Sequence, residues 1–365
     1  MRILEHKNEL KYNYALPRLA QYDNRSCDII NTTKLNLRSM RRDAMGLRPE
    51  VQPLRWLFFY GILCLTIVVM ISVVVLPSTS CAQTDGYNPA GNSVNFSFSA
   101  STVYQFNANV DDGGTLHVAR YNSAFDVSDR VNKDLRLGLS LAYEYDDYDF
   151  SGLTKFPVAR PWSEVNRFGI SVPVHYTFTD NWRLFVSPSV QWAGESRAKW
   201  DDALSYGAVA GISYRIRPDA VIGLGAGVYS NIKDTTVFPY ITVNWQMTER
   251  IRLINPSRTS PAGPAGLELV YAIDKYWETG LGAAYRSYRF RLEENGPIPN
   301  GIGEYKTVPV FARISYKFTP KISIDVYGGA TFVNKIYIED QDGHELFSTK
   351  TDIAPLIGLT FVARF

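Results

Sequence analysis

From Val94 onward the chain repeats one pattern: apolar and polar side chains alternate with a period of two. Val94, Phe96, Phe98, Ala100, Thr102, Tyr104 and Phe106 fall on one parity, and Asn95, Ser97, Ser99, Ser101, Val103, Gln105 and Asn107 on the other. Leu135, Leu137, Leu139, Leu141, Tyr143 and Tyr145 repeat it, as do Phe168 to Phe178 and Val308 to Phe318. The chain ends the same way, with Ile357, Leu359, Phe361, Ala363 and Phe365 opposing Gly358, Thr360, Val362 and Arg364. Successive side chains of a strand point to opposite faces, so each run presents one apolar and one mixed face. A helix would need a period near 3.6, which these runs do not follow.

Such segments number about fourteen, near 94–108, 114–125, 134–150, 164–178, 182–192, 203–216, 220–230, 237–247, 250–255, 267–273, 277–292, 307–318, 322–338 and 346–365. The short pair 250–255 and 267–273 flanks Pro256, Pro261 and Pro264, so twelve is the alternative count. A weak repeat marks one rim: YTFTDNW (176–182), YRIRPDA (214–220), WQMTERI (245–251), YAIDKYW (271–277) and YKFTPKI (316–322). Each reads as a tight hairpin. The aromatics Tyr176, Tyr214, Trp245, Tyr271 and Tyr316 would then share one height, as an interfacial girdle does. The other connections, 151–163, 193–203, 255–266, 293–306 and 340–345, are longer and rich in Gly, Pro and charge.

The closing run, with Phe361 and the terminal Phe365, resembles the last strand of bacterial outer-membrane β-barrels. That resemblance implies that the terminal aromatic is the signal read by the barrel-assembly machinery. As a whole, residues 83–365 resemble the uncharacterised porin-like outer-membrane barrel families of Gram-negative bacteria. The expected fold is an all-β, transmembrane, antiparallel up-and-down barrel with short periplasmic turns and longer extracellular loops. Lipid satisfies no backbone groups, so strands there must close on themselves. A soluble exported β-domain is the competing architecture.

Export is expected from Trp56–Leu76, an uncharged apolar run preceded by Arg41, Arg42, Arg48 and Arg55 and ended by Pro77. Ser80 and Ala82 meet the demand of a signal peptidase for small residues, placing cleavage after Ala82. A retained anchor, or a lipoprotein using Cys81, are the alternatives. Residues 1–55 read as a leader, disordered or preceding a later true start at Met40 or Met45. Residues 83–93 read as a short periplasmic segment, and 94–365 as the barrel.

Composition narrows the function. Cys27, Cys64 and Cys81 all precede Gln83, so the mature chain has no disulfide framework or cysteine metal site. The leader takes eleven of 38 basic and six of 36 acidic residues, leaving 27 against 30 and no basic patch suited to nucleic acid. Mean hydropathy is −0.14, as expected when a barrel hides its polar half in lumen and loops.

Parity assigns Arg136, Glu144, Arg167, His175, Arg183, Gln191, Arg215, Glu268, Arg286, Arg313, Asp325 and Arg364 to the lumen. A charge aimed at lipid costs about 2–4 kcal/mol at midplane, so these side chains should turn inward. They would line a channel or pair across a packed interior. His117, His175 and His344 show no nucleophile arrangement. Asp340, Asp342 and His344 form either a weak cation site or a solvated turn. Asp111-Asp112, Asp146-Asp147 and Asp201-Asp202 read as long-loop pairs, able to bind cations that bridge lipopolysaccharide. No cofactor, metal or catalytic residue is expected. The leading function is passage of small solutes; the alternatives are an outer-membrane hydrolase and a structural or adhesive barrel.

Overall fold

The computed structural model describes residues 94–155, 158, 160–257, 259–261 and 263–365. The export run, the cleavage site with Ser80 and Ala82, and the leader lie outside the described residues. Fourteen strands form one sheet. They are β1 (Asn95–Asn109), β2 (Thr115–Arg130), β3 (Leu135–Ser151), β4 (Glu164–Ser171 with Val174–Thr177), β5 (Trp182–Glu195), β6 (Leu204–Arg217) and β7 (Ala220–Asn231). Then follow β8 (Asp234–Gln246), β9 (Ile251–Ile254), β10 (Gly266–Ala272), β11 (Trp277–Ala284 with Arg286–Arg291), β12 (Ile302–Thr319), β13 (Ile322–Glu339) and β14 (Glu345–Thr351 with Ala354–Arg364). Each strand pairs antiparallel with the next. β1 closes the ring on β14, from Ser97↔Arg364 to Gln105↔Leu356. The closed antiparallel barrel of fourteen strands stands as the sequence leads one to expect.

Parity decides which face meets what. On β3, Leu139 is 44% exposed on the outside, whereas its neighbour Ser140 is 3% exposed inside and donates to Asp126. The outer face carries a belt of Leu, Ile, Val and aromatics that only a lipid-facing surface accommodates at this density.

Turn chemistry fixes one end. Thr179, Thr248 and Thr319 each accept, through Oγ1, the backbone N–H groups two and three residues ahead. Asn132 and Asp274 do the same through Oδ1. A short polar side chain that satisfies two turn donors locally makes a tight reversal cheap. Four of these caps lie in or beside the repeated aromatic-led heptads, three residues after Tyr176, Trp245, Tyr271 and Tyr316. The fifth heptad departs: after Tyr214 the position is Arg217, which pairs with Asp219 at 3.3 Å.

Candidate functional site: the barrel interior

The interior is layered. At the long-loop end an apolar cluster fills the bore. Trp162, from the loop between β3 and β4, sits edge-on to Phe150 and Phe290, each 5.2 Å away, and to Tyr148 at 5.9 Å. Leu116, Val118, Tyr305, Ile336 and Ile338 complete it from β2, β12 and β13. The outer half of the β11–β12 hairpin leans across the mouth, and Arg291 on β11 meets Gly194 on β5 in a parallel bridge. Its far face is anchored by two arginines. Arg289 grips the Glu339 carboxylate at 2.8 and 2.6 Å and donates to the Ile232 carbonyl at 3.2 and 3.1 Å. Arg291 donates to the carbonyls of Asp202, Asn300 and Gln341. Ile232 and Lys233 form the β7–β8 turn with positive φ (35° and 65°), a conformation costly for a β-branched residue.

Beneath the cluster lies a charged layer centred on Tyr288. The guanidiniums of Arg120, Arg286 and Arg167 stand 4.5, 4.8 and 5.3 Å from its ring centre. Arg167 pairs with Glu144, and Asp146 lies 3.6 Å from both Arg120 and Arg167. Arg286 donates to Glu144 at 3.3 Å and to the Tyr288 hydroxyl at 3.0 Å. Desolvating such groups is costly unless they pair, which is why three cations and two anions gather here. Arg120, Tyr288, Tyr305 and Arg130 were not picked out from the sequence. Arg120 lies on the inward parity of β2, the one available signal. Asp146 is a correction: it is fully buried inside β3, not in a loop.

The connection between β9 and β10 is a second correction to a simple surface loop. Thr259, Ser260 and Pro261 are buried, and Thr360 on β14 donates to the Thr259 carbonyl at 3.3 Å. The loop therefore turns into the bore. Asn255 repairs the ladder it leaves, donating to the carbonyls of Ile241 and Gly266 and accepting from the Val243 N–H.

Toward the short-turn end the charges separate by wall. Arg313 donates to Glu268 at 2.6 Å and Asp325 at 3.3 Å, and Tyr327 donates to Asp325. Glu278 pairs with Arg252 and Lys317. On the other side Arg136 and His175 face each other across β3 and β4, with His175 packed 4.9 Å from the Phe185 ring. Arg183 and Arg215 share that wall. Gln191 is half-buried on β5 opposite Ser205, and Arg364 is exposed beside the end of β14. Phe365 is 44% exposed, and Phe361 is half-buried.

On β6 and β7, Gly207, Gly211, Gly223, Gly225 and Gly227 point inward among Val209, Arg215 and Tyr229, and the rings of Tyr229 and Phe238, stacked 6.0 Å apart, lie against this glycine face. His344 lies at the opposite end, its Nδ1 3.1 Å from Asp340 in a solvated turn. Among the described residues no group of three metal-binding side chains forms.

The chain belongs to the family described as Domain of unknown function (DUF6268), whose model matches residues 79–363. No curated protein matches it. Among solved structures it is similar to the P. putida toluene transporter TodX, with 9% identity over 76% of this chain and 91% of that one, TM-score 0.37. It is also similar to the KdgM porin, with 11% identity over 72% and 98%, TM-score 0.28. The translocator domain of autotransporter NalP from Neisseria meningitidis shows 8% identity over 74% and 89%, TM-score 0.32.

Proposed function

We propose that this protein is a porin-like channel of the outer membrane that passes small solutes and is held shut at its long-loop end. The observation that carries this is a closed barrel with a lipid-facing apolar belt and an inner face along β6 and β7 built largely from glycine. Export through a signal cleaved after Ala82, and assembly directed by Phe361 and Phe365, belong to the same reading. So does contact of the outer rim with lipopolysaccharide.

The β11–β12 hairpin is the gate in this proposal. Arg289 and Arg291 tie it to backbone carbonyls of the opposite wall, contacts that can break without disturbing the ladder. Planar-bilayer recording tests it. The native protein should conduct in rare, brief openings, and Arg289→Ala with Arg291→Ala should lengthen them. Silence from both would favour the second reading, a structural barrel, which the apolar cluster supports.

A further inference from the structure

On the β9–β13 side, the lumen arginines among the described residues have carboxylate partners: Arg252 has Glu278, Arg286 has Glu144, and Arg313 has Glu268 and Asp325. The β2–β6 side at the short-turn end is different. Arg130 and Arg136 lie directly opposite each other in the β2–β3 register. Arg136 is in turn opposite His175 on β4. Arg183 on β5 and Arg215 on β6 stand beside Trp182 and the girdle residue Tyr214, which face each other in the register. Arg130, Arg136 and Arg215 all lie close enough to Arg183 to act on its charge. None of the four forms an ion pair among the described residues. The acid on the same inward parity of β2, Asp126, is turned to the hydroxyls of Ser97 and Ser140.

Like charges placed directly opposite on paired strands destabilise a sheet. Arg130 and Arg136 therefore oppose each other in the empty barrel, Arg183 and Arg215 add like charge beside them, and a ligand of opposite charge would offset that. Guanidinium groups suit oxyanions because their donors form a fork matched to two oxygens. The five strands β2–β6 span roughly 19 Å at about 4.8 Å each, room for more than one anionic group.

We propose that Arg130, Arg136, Arg183 and Arg215 form a binding station for solutes carrying two or more carboxylate or phosphate groups, at the periplasmic end of the lumen. This rests on the channel reading for its biological sense, but its test does not. The refolded barrel in an uncharged sugar detergent is titrated with citrate and with pyrophosphate, followed calorimetrically. Arg136→Gln combined with Arg183→Gln should weaken both at least tenfold. Arg252→Gln, which removes a paired arginine at the same end, should leave binding unchanged. Because the double variant relieves repulsion, its urea midpoint should rise, and heat-modifiable gel migration confirms that it folds.

In planar bilayers the same variant should lower chloride over potassium permeability. A native barrel that binds neither probe at millimolar concentration overturns the proposal, as does a double variant that binds like the native protein. A barrel that binds but never conducts keeps the station and overturns the channel instead. Repeating the titration in bicelles containing phosphatidylglycerol separates the two sources of phosphate. Loss of citrate binding there would assign the arginines to lipid headgroups and overturn the solute reading.

Discussion

Two walls of one barrel follow opposite plans. Along β6 and β7, Gly211 faces Gly225 across the ladder, and Gly223 and Gly227 flank them. A Cβ on Gly225 would collide with the backbone of Ala210 and Gly211. At these glycines the neighbouring backbones approach too closely for a Cβ, while Val209 and Tyr229 on the same parity keep theirs. Across the bore, β2, β3, β11 and β12 bring Tyr148, Phe290, Tyr305 and Arg120 into contact, each nearly or wholly buried. One wall thus packs large side chains in contact, and the other brings backbones close together through glycine.

The sharpest way to break this comparison is to cut each wall. Phe290→Ala removes a fully buried ring from the apolar cluster and should cost about 3–5 kcal/mol in urea-titrated refolding. Val228→Ala, on the lipid side of the glycine wall and 49% exposed, should cost less than about 1 kcal/mol. Equal losses would mean that the cluster is no core.

Next in size is the contrast between faces of one strand. Leu139→Arg aims a charge at lipid and should cost about 2–4 kcal/mol. Ser140→Arg turns inward beside Asp126, with which it can pair, and should cost less. Equal sensitivity would contradict the β3 register.

A third test sharpens the account of close approach. Gly225→Ala should cost about 1–3 kcal/mol through overpacking against the neighbouring strand. Gly328→Ala on β13 should be nearly silent, since a Cβ there meets nothing within 4 Å. Refolding midpoints of the two variants decide it.

What the sequence showed and hid follows from range. Alternation is local, so the strands, their faces and the short pair Ile251–Ile254 and Gly266–Ala272 were readable from Val94 onward. The aromatic heptads were readable too, and their capping threonines were visible within them. Partnership was not. Arg286 and Glu144 are 142 residues apart, and only barrel closure brings them together. The inward turn of Thr259–Pro261 depends on a hydroxyl of Thr360, 101 residues away. Parity could assign Arg136 and Arg313 alike to the lumen, yet only the register shows that one is paired and the other faces Arg130.

The smallest effect lies in the short turn between β10 and β11. Asp274 accepts the N–H groups of Tyr276 and Trp277 at 2.7 and 2.8 Å, and these bonds hold its carboxyl below the usual range. A carboxyl whose folded value is depressed stabilises the protein above its unfolded value, and that stability fades as pH falls through the folded value. Threonine fills the same position in the turns at Thr179, Thr248 and Thr319, so Asp274→Thr should keep the cap and remove the titration. At neutral pH the native protein should refold with a slightly higher urea midpoint than Asp274→Thr, because a charged acceptor makes the stronger bond. The two midpoints should converge as the medium is acidified below the carboxylate range. A gap that stays constant with pH would show that the charge contributes nothing and that the cap is purely geometric. The same turn chemistry would then serve both walls, leaving their difference entirely to the residues inside.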